Sequence, residues 1–489
     1  MRTLNPVLLG WILLGLHWAS PPSVVARPGP RPNVVFILTD DLGVHDLGCY
    51  GREDHRTPRL DRLAWEGTRF TSAYCAQPIC SASRAALMTG KSPARLHLTT
   101  YLPGRADAPS QLVIHPRIEP QLPLAETTLA ESLRAAGYAT ACIGKWHLGG
   151  AGFGPADQGF DFVYAGIANT TPTASEGGKG EWDLTRAAER FIGENRDRPF
   201  FLFLSHNTPH IPYTARQDRI DAFQAAFEPT YAAVIESLDA TVGHLLETLD
   251  NLGLRDRTLV IFTSDNGGLH VPELRHARVT HNGPFRAGKG YLYEGGLRIP
   301  LLVRWPGHVP ARRVSDAPFL NTDWLPTLQE LCGVRPQHRL DGRSAAQNLL
   351  GDPRAIRSTL YWHFPHYTNQ GGRPSGAIRD GRWKYIEFYD TRQVELYDLA
   401  TDPGEMRDRS SEEPRRVRRY RDALARWRTD AGAQANRPNA AADLEAFRSL
   451  YVDFDPSQFR PTVAAAEDWQ RMAAWRTAMD AAVAGRRAN

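Results

Sequence analysis

Two pairs of oxygen-bearing side chains carry the first chemical signal: Asp40-Asp41 and Asp265-Asn266. Neighbouring carboxylates repel one another unless a cation lies between them. The four side chains include neither His nor Cys, a donor set that suits Ca²⁺ or Mg²⁺ better than Zn²⁺. Asp and Asn also serve as turn and N-cap residues, so neither pair alone marks a site. The argument for a metal is that both pairs follow apolar runs in the same way. A second signal is Cys80–Gly90 (CSASRAALMTG), with Arg84 one turn beyond the thiol. A lone cysteine is most often inert core, but a thiol beside a helix start and a guanidinium is placed where negative charge is favoured. Lys145 and His147 (GKWH), His210 (SHNTPH) and Lys289, set between two glycines, add cations and bases. Each histidine also reads as a structural one, His206 more readily than the other two. The Lys289 loop reads either as a surface turn or as a lysine brought up to an anion.

The elements that must position these residues are legible as apolar runs. Val34–Leu38, Tyr138–Ile143, Phe200–Leu204 and Leu259–Thr263 are continuous and rich in β-branched or aromatic residues, as in strands buried on both faces. Helical patterns lie between them: Thr128–Ala136, ended by Gly137, and Tyr231–Leu249, with Val234, Leu238, Val242, Leu245 and Leu249 on one face. A short helix is expected over Ala85–Thr89, ended by Gly90, with Cys80 just before its start. This alternation predicts an α/β fold, a large mixed and mostly parallel sheet flanked by helices. Ligands of such sheets bind at the carboxyl ends of the strands. Asp40-Asp41, Lys145 and His147, His206 and His210, and Asp265-Asn266 each follow one of these strand ends, so four remote segments are expected to converge on one rim. A smaller antiparallel sheet with one helix follows: Thr359–Phe364, a hairpin at Asp380-Gly381-Arg382, Val394–Leu399, then Pro414–Arg428. Arg415, Arg416, Arg418 and Arg419 read as the solvated face of that last helix. From Ala440 on, the chain is rich in Ala and Arg and reads as partly helical.

The 489 residues allow about two to four domains. Residues 1–26 read as a secretory signal peptide: the apolar run Val7–Trp18 is too short to span a bilayer, and small residues precede a cut after Ala26. Residues 30–355 are expected to be the catalytic domain, 356–435 a small C-terminal subdomain and 436–489 the tail. No later stretch is apolar for long enough to cross a membrane, so stable membrane insertion is not expected, and the reading is a secreted or periplasmic protein. A net charge of +4 does not argue for nucleic acid as a partner. Five cysteines exclude a disulfide scaffold, and no spacing pairs Cys49, Cys75, Cys142 or Cys332.

Cys80–Gly90 resembles the signature of the type I, formylglycine-dependent sulfatases: Cys-x-Pro-x-Arg, then Leu/Met-Thr-Gly. These are arylsulfatase-like members of the alkaline phosphatase superfamily. The resemblance runs from Asn33 to about Asp408. Asn33–Gly43, Gly144–His147, Ser264–Gly268, Gly288-Lys289-Gly290, Glu294–Pro300 and Leu396–Pro403 all look like sulfatase segments in sulfatase order. Ala82 stands where most members carry Pro; some bacterial members tolerate Ala and are modified by radical enzymes. The resemblance therefore implies a maturation partner, either a formylglycine-generating enzyme or a radical maturase, that oxidises Cys80 to an aldehyde. It further implies Ca²⁺ on Asp40, Asp41, Asp265, Asn266 and the modified Cys80. Arg84 and Lys145 would hold the aldehyde hydrate, His147 would be the base that expels sulfate, and His210 and Lys289 would grip the sulfate and protonate the leaving alcohol.

The physics of the reaction agrees with these roles. A sulfate ester is already anionic, so cations must offset the repulsion of an anionic nucleophile. One hydroxyl of an aldehyde hydrate attacks sulfur; loss of the second hydroxyl's proton then breaks the C–O bond and restores the aldehyde. The expected substrate is a sulfated small molecule or glycan, by family analogy, with contacts on Tyr101–Pro120 and Ile167–Gly180. Two alternatives compete: a phosphomonoesterase or phosphonate hydrolase of the same superfold, and a non-catalytic binder of sulfated glycans with Cys80 unmodified. The two-Zn²⁺ phosphatases want His ligands and a Ser or Thr nucleophile, which Asn266 and Cys80 do not supply.

Overall fold

Asn33–Thr39 (NVVFILT) is buried at every residue and forms β1 at the middle of the main sheet. The computed structural model describes residues 31–274, 276–336, 338–354 and 356–484; the expected signal peptide lies outside them. The other strands of this sheet are β2 (Thr68–Phe70), β3 (Ala139–Gly144), β4 (Phe162–Tyr164), β5 (Phe200–Ser205), β6 (Thr258–Ser264), β7 (Leu301–Arg304) and β8 (Arg313–Ser315). Their order is β8-β2-β7-β6-β1-β5-β3-β4. The run from β6 to β4 is parallel, and β7 is antiparallel to both its neighbours. The sheet is thus mixed and mostly parallel, as the apolar runs predict.

Alternate residues of β1 enter two different cores. Val34, Phe36 and Leu38 join one, and Val35 and Ile37 the other. On the first face pack α2 (Cys80–Thr89), α3 (Leu129–Ala135) and α6 (Trp324–Leu331). On the second pack α1 (Pro58–Glu66), α4 (Glu181–Glu194) and α5 (Pro229–Asn251). Both faces are covered, which is why the strands are continuous apolar runs rather than alternating ones. Thr128 caps α3 in a reciprocal capping box with Glu131.

The smaller sheet contains β9 (Thr359–Phe364), β10 (Ser375–Asp380), β11 (Trp383–Phe388) and β12 (Val394–Asp398), antiparallel in sequence order. One face receives α7 (Pro414–Asp430), whose Val417, Tyr420 and Leu424 pack on Ile378, Tyr385 and Leu396. The other face, with Trp362, Phe364 and Ile386, belongs to the main core. Arg415, Arg418 and Arg419 are exposed on α7. The tail forms α8 (Leu444–Tyr451) and α9 (Ala466–Ala484). Among the described residues no helix is long and apolar enough to cross a membrane, and all five cysteines are free.

Candidate active site

β6, β1, β5 and β3 lie side by side, and hydrogen bonds continue across them just past the strand ends. Asp265 N donates to Thr39 O at 3.1 Å, His206 N to Leu38 O at 2.8 Å and Lys145 N to Ser205 O at 2.9 Å. These bonds set Asp265, Asp40 and Lys145 along one rim, as the sequence predicts. Gly144, the last residue of β3, is at φ +100°, and a Cβ there would collide with the Ser205 carbonyl. Only glycine lets the chain turn into Lys145 this close to its neighbour. Asp41 and His147 hold left-handed backbone at φ 65° and 60°. That conformation costs about 1 kcal/mol or more for a non-glycine residue and recurs at functional sites.

α2 delivers Cys80 to this rim. The helix starts at Cys80 itself, with Ile79 as N-cap, which corrects the expected helix over Ala85–Thr89 with Cys80 outside it. All ten of its residues are buried. Ser81, Ala82, Ser83, Ala85 and Ala86 are small enough to let it pack tightly, and this unusual burial is what hides its helical period in the sequence. The free N–H groups of its first turn lie at Cys80, where they favour negative charge.

One ligand atom from each of Asp40, Asp41, Cys80 and Asp265 lies within 4.8 Å of the others. Cys80 Sγ is 3.3 Å from Asp40 Oδ1. Asn266 Nδ2 donates to Asp41 Oδ1 at 2.8 Å, while its buried Oδ1 accepts no hydrogen bond. Each carboxylate has its own cation: Lys145 Nζ is 2.5 Å from Asp40 Oδ2, Lys289 Nζ 2.7 Å from Asp41 Oδ2, and Arg84 Nε 2.9 Å from Asp265 Oδ2. Arg84 Nη1 also donates to Ser205 Oγ at 2.6 Å and to Lys145 O at 3.0 Å.

The electrostatics follow from this crowding. Burial opposes ionisation of Asp40, but Lys145, His210, Arg84 and Lys289 outweigh it and hold the carboxyl well below its usual range. Asp265 is pushed up to about 6, by burial first and then by the charge on Asp40. Asp265 thus resists ionisation beside the charged Asp40, and a further cation near it would favour its charged form. Burial, reinforced by Asp40, drives the Cys80 thiol well above its ordinary range, and Lys145 and Lys289 offset only part of this. The unmodified thiol is therefore not the activated thiolate that a cysteine nucleophile requires.

His147 is pushed down to about 4, by burial and then by Lys145, and is neutral near pH 7. Its Nε2 lies 3.1 Å from the Leu102 carbonyl, which only accepts, so Nε2 carries the proton. Nδ1 is buried without a partner, a lone pair free to take a proton. His210 Nε2 lies 3.6 Å from Asp41 Oδ2, and its Nδ1 donates to Ile211 O at 2.6 Å. His206 is fully buried, and neither ring nitrogen makes a hydrogen bond. Sequence reasoning passes over Ser205, Ser83 and Asn321. Asn321 Nδ2 donates to Ser83 Oγ at 2.7 Å and its Oδ1 accepts from Ala76 N at 2.9 Å, fixing the entry to α2. The polar triplet Asn321-Thr322-Asp323 after the Phe319-Leu320 pair was the available signal.

An acidic cluster with matched cations, at the carboxyl rim of a sheet covered on both faces, suits an anionic ester, and the solved structures this chain resembles include sulfatases of the alkaline phosphatase superfamily. Within it the chain belongs to the sulfatase family: residues 32–334 match Sulfatase, and residues 285–421 match N-sulphoglucosamine sulphohydrolase, C-terminal. It is a sulfuric ester hydrolase. Human arylsulfatase A is 36% identical over 449 residues, covering 78% of this chain and 83% of that protein. The N-acetylgalactosamine-6-O-sulfatase of Bacteroides thetaiotaomicron is 29% identical over 503 residues, covering 82% and 93%. The solved structure of Ps i-CgsB superposes with a TM-score of 0.72 at 29% identity, over 82% of this chain and 93% of that one. The phosphonate monoester hydrolase of Agrobacterium radiobacter shares the fold, with a TM-score of 0.64 at 21% identity over 82% and 96% of the two chains.

Proposed function

We propose that this chain is an exported sulfatase that hydrolyses a sulfate ester on a sulfated carbohydrate. The reading includes a formylglycine made from Cys80, by a formylglycine-generating enzyme or a radical maturase, and Ca²⁺ held by Asp40, Asp41, Asp265, Asn266 and the modified Cys80. The observation that carries it is the pairing of three carboxylates with three cations around Cys80. Those six charges cancel, so a divalent ion would leave the site doubly positive, matched to an anionic ester and to charge developing on its oxygens. The donors fit Ca²⁺: they are hard oxygens, and Asn266 Oδ1 is buried and unsatisfied. An aldehyde hydrate at position 80 would supply one hydroxyl to attack sulfur, and a second whose deprotonation would expel sulfate by C–O cleavage and restore the aldehyde.

The chain's own residues do the rest. Arg84 and Lys145 hold the nucleophile and neutralise its charge. His147 Nδ1 takes the proton that lets sulfate leave. Lys289 and His210 grip the sulfate and protonate the departing alcohol. A carbohydrate substrate is supported by the names of the relatives, which include the B. thetaiotaomicron N-acetylgalactosamine-6-O-sulfatase, and by Ps i-CgsB solved with k-i-k-neocarrahexaose at 28% identity.

Mass spectrometry of the Cys80 peptide, combined with release assays on matched sulfate and phosphate esters, tests the reading. The expected result is an aldehyde at position 80 and turnover of sulfated sugars. Fast turnover with an intact thiol, or faster release of phosphate than of sulfate, overturns it.

A further inference from the structure

We infer that the C-terminal tail is part of the catalytic unit, positioning Lys289 by clamping both flanks of its loop. This rests on the role given to Lys289 above. Both family matches end by residue 421, so α8, α9 and the segment between them lie beyond the matched region. Their contacts are nevertheless concentrated on the loops around the site.

Arg286, three residues before Lys289, forms one flank. It is buried, and its guanidinium is engaged in three directions. Nη2 donates to Ser457 Oγ at 2.7 Å and to Asp455 Oδ2 at 3.1 Å, both from the tail. Nη1 donates to Tyr397 Oη at 2.9 Å and to Glu405 O at 3.1 Å, both from the small-sheet region. The guanidinium also stacks 3.9 Å from the centre of the Tyr293 ring. A buried guanidinium satisfied this way cannot shift without stranding charged donors.

Gly290, directly after Lys289, forms the other flank. It is at φ +86°, its N–H donates to Pro78 O at 2.8 Å, and a Cβ there would sit 2.8 Å from Thr368 Oγ1 and 3.0 Å from Gln370 Oε1. The turn that presses on it is held from behind by α9. Arg476 Nη1 donates to Asn369 O at 2.5 Å, and Trp475 lies against Gly371 closely enough that a Cβ there would reach 2.9 Å from its ring. Between the flanks, Lys289 N donates to Gly268 O at 3.0 Å, and the same strand-end loop is held by His270 Nε2 and Pro456 O, 3.3 Å apart. The ammonium of Lys289 thus reaches Asp41 from a loop held by the tail directly at Arg286 and, at Gly290, through the 368–371 turn that α9 backs. Displacement of a catalytic group by about 1 Å can cost about 10²-fold in rate.

A double-mutant cycle on the full, matured enzyme separates positioning from general stabilisation. It compares wild type, Lys289→Ala, the pair Asp455→Asn/Ser457→Ala, and all three substitutions together, measured as kcat/KM for one sulfate ester and as Tm. The pair should lower kcat/KM about tenfold or more with KM nearly unchanged. Once Lys289 is absent, the pair should cost less than about threefold, because its effect runs through that side chain. Ser457→Ala alone gives a milder arm with the same non-additivity, and Asp455→Glu should restore most of the rate. Full additivity, or no loss from the pair, overturns the clamp. Near-normal activity of Lys289→Ala instead overturns the role given to Lys289, a result read before the tail is touched.

Discussion

The rim of the main sheet and the loops above it are built on different physical terms. On the rim, Asp265 and Asp40 leave adjacent strands, about 4.8 Å apart in the hydrogen-bonding direction, and Lys145 leaves β3, on the far side of β5 from Asp40. Backbone ladders set their positions, and their side chains pair with each other. The loops take their shape from remote partners. Asn439 Nδ2 bridges Ala108 O and Gln111 O, both at 2.8 Å, and Arg437–Pro438 pairs with Val113–Ile114. Lys179 is buried with its Nζ on Asn169 Oδ1 at 2.6 Å and on Pro212 O at 2.9 Å, which ties the 167–180 loop to the turn carrying His210. The acidic cluster and Lys145 are thus set by the sheet itself, while Lys289, His210 and the shape of the substrate opening depend on contacts far away in sequence.

Substitutions on the rim should be the most damaging to turnover and the least damaging to the fold. The largest effect is expected at Cys80. Cys80→Ala should abolish sulfate ester hydrolysis, a loss of more than about a thousandfold, because it removes the atom on which the nucleophile is built. Far-ultraviolet circular dichroism should not change. Residual turnover near normal would remove Cys80 from the mechanism.

Exhaustive chelation comes next and should lower activity and Tm together. Without the ion, three buried carboxylates are left with only their own cations, and a ligand at a hundred times its Kd contributes about 2.7 kcal/mol. Readdition of Ca²⁺ should restore both. A Tm unmoved by chelation would break the link between the acidic cluster and a resident cation. Lys145→Ala follows, at about 10² to 10³ in kcat, the scale of removing one electrostatic partner from a developing charge. A comparable loss from Arg415→Ala, on the solvated face of α7, would erase the distinction between rim and periphery.

How legible each region was in the sequence follows the same division. β1, β3, β5 and β6 appear as continuous apolar runs because both their faces are covered, and the polar residues after them were therefore identified as a rim. α2 was half hidden: with every residue buried and most of them small, it has no polar face to give a period. Ser205 was not singled out because a serine ending a strand looks like any other strand end, yet it accepts from Arg84. The loop 101–120 and the tail carry no local pattern that reports their pairing, since Asn439 and Ala108 are brought together only by the folded chain. Lys179 was missed for the same reason, its burial being set by Pro212 and Asn169.

The smallest expected effect is on the periphery and appears as a pH dependence of stability. His363, in β9, is buried between the small sheet and the tail, with Nε2 2.8 Å from Gln434 O and Nδ1 2.8 Å from Tyr389 Oη. The carbonyl only accepts, so Nε2 carries the proton and Nδ1 accepts from the tyrosine; the ring is bonded as the neutral form. Burial, and then the charge of Arg428, push its pKa down to about 3, against about 6.5 when unfolded. Between those values the unfolded chain binds a proton that the folded chain refuses. The contribution of His363 to stability is therefore complete above about pH 6.5 and falls as the pH drops toward 3, by up to about 1.4 kcal/mol per pH unit. His363→Gln keeps a donor and an acceptor without a titrating group. Urea unfolding at pH 7 and pH 5 should show the variant losing about 2 kcal/mol less than the wild type across that interval, with turnover at pH 7 unchanged. Equal losses in the two proteins would place the acid sensitivity elsewhere, in buried histidines such as His206 beside the rim.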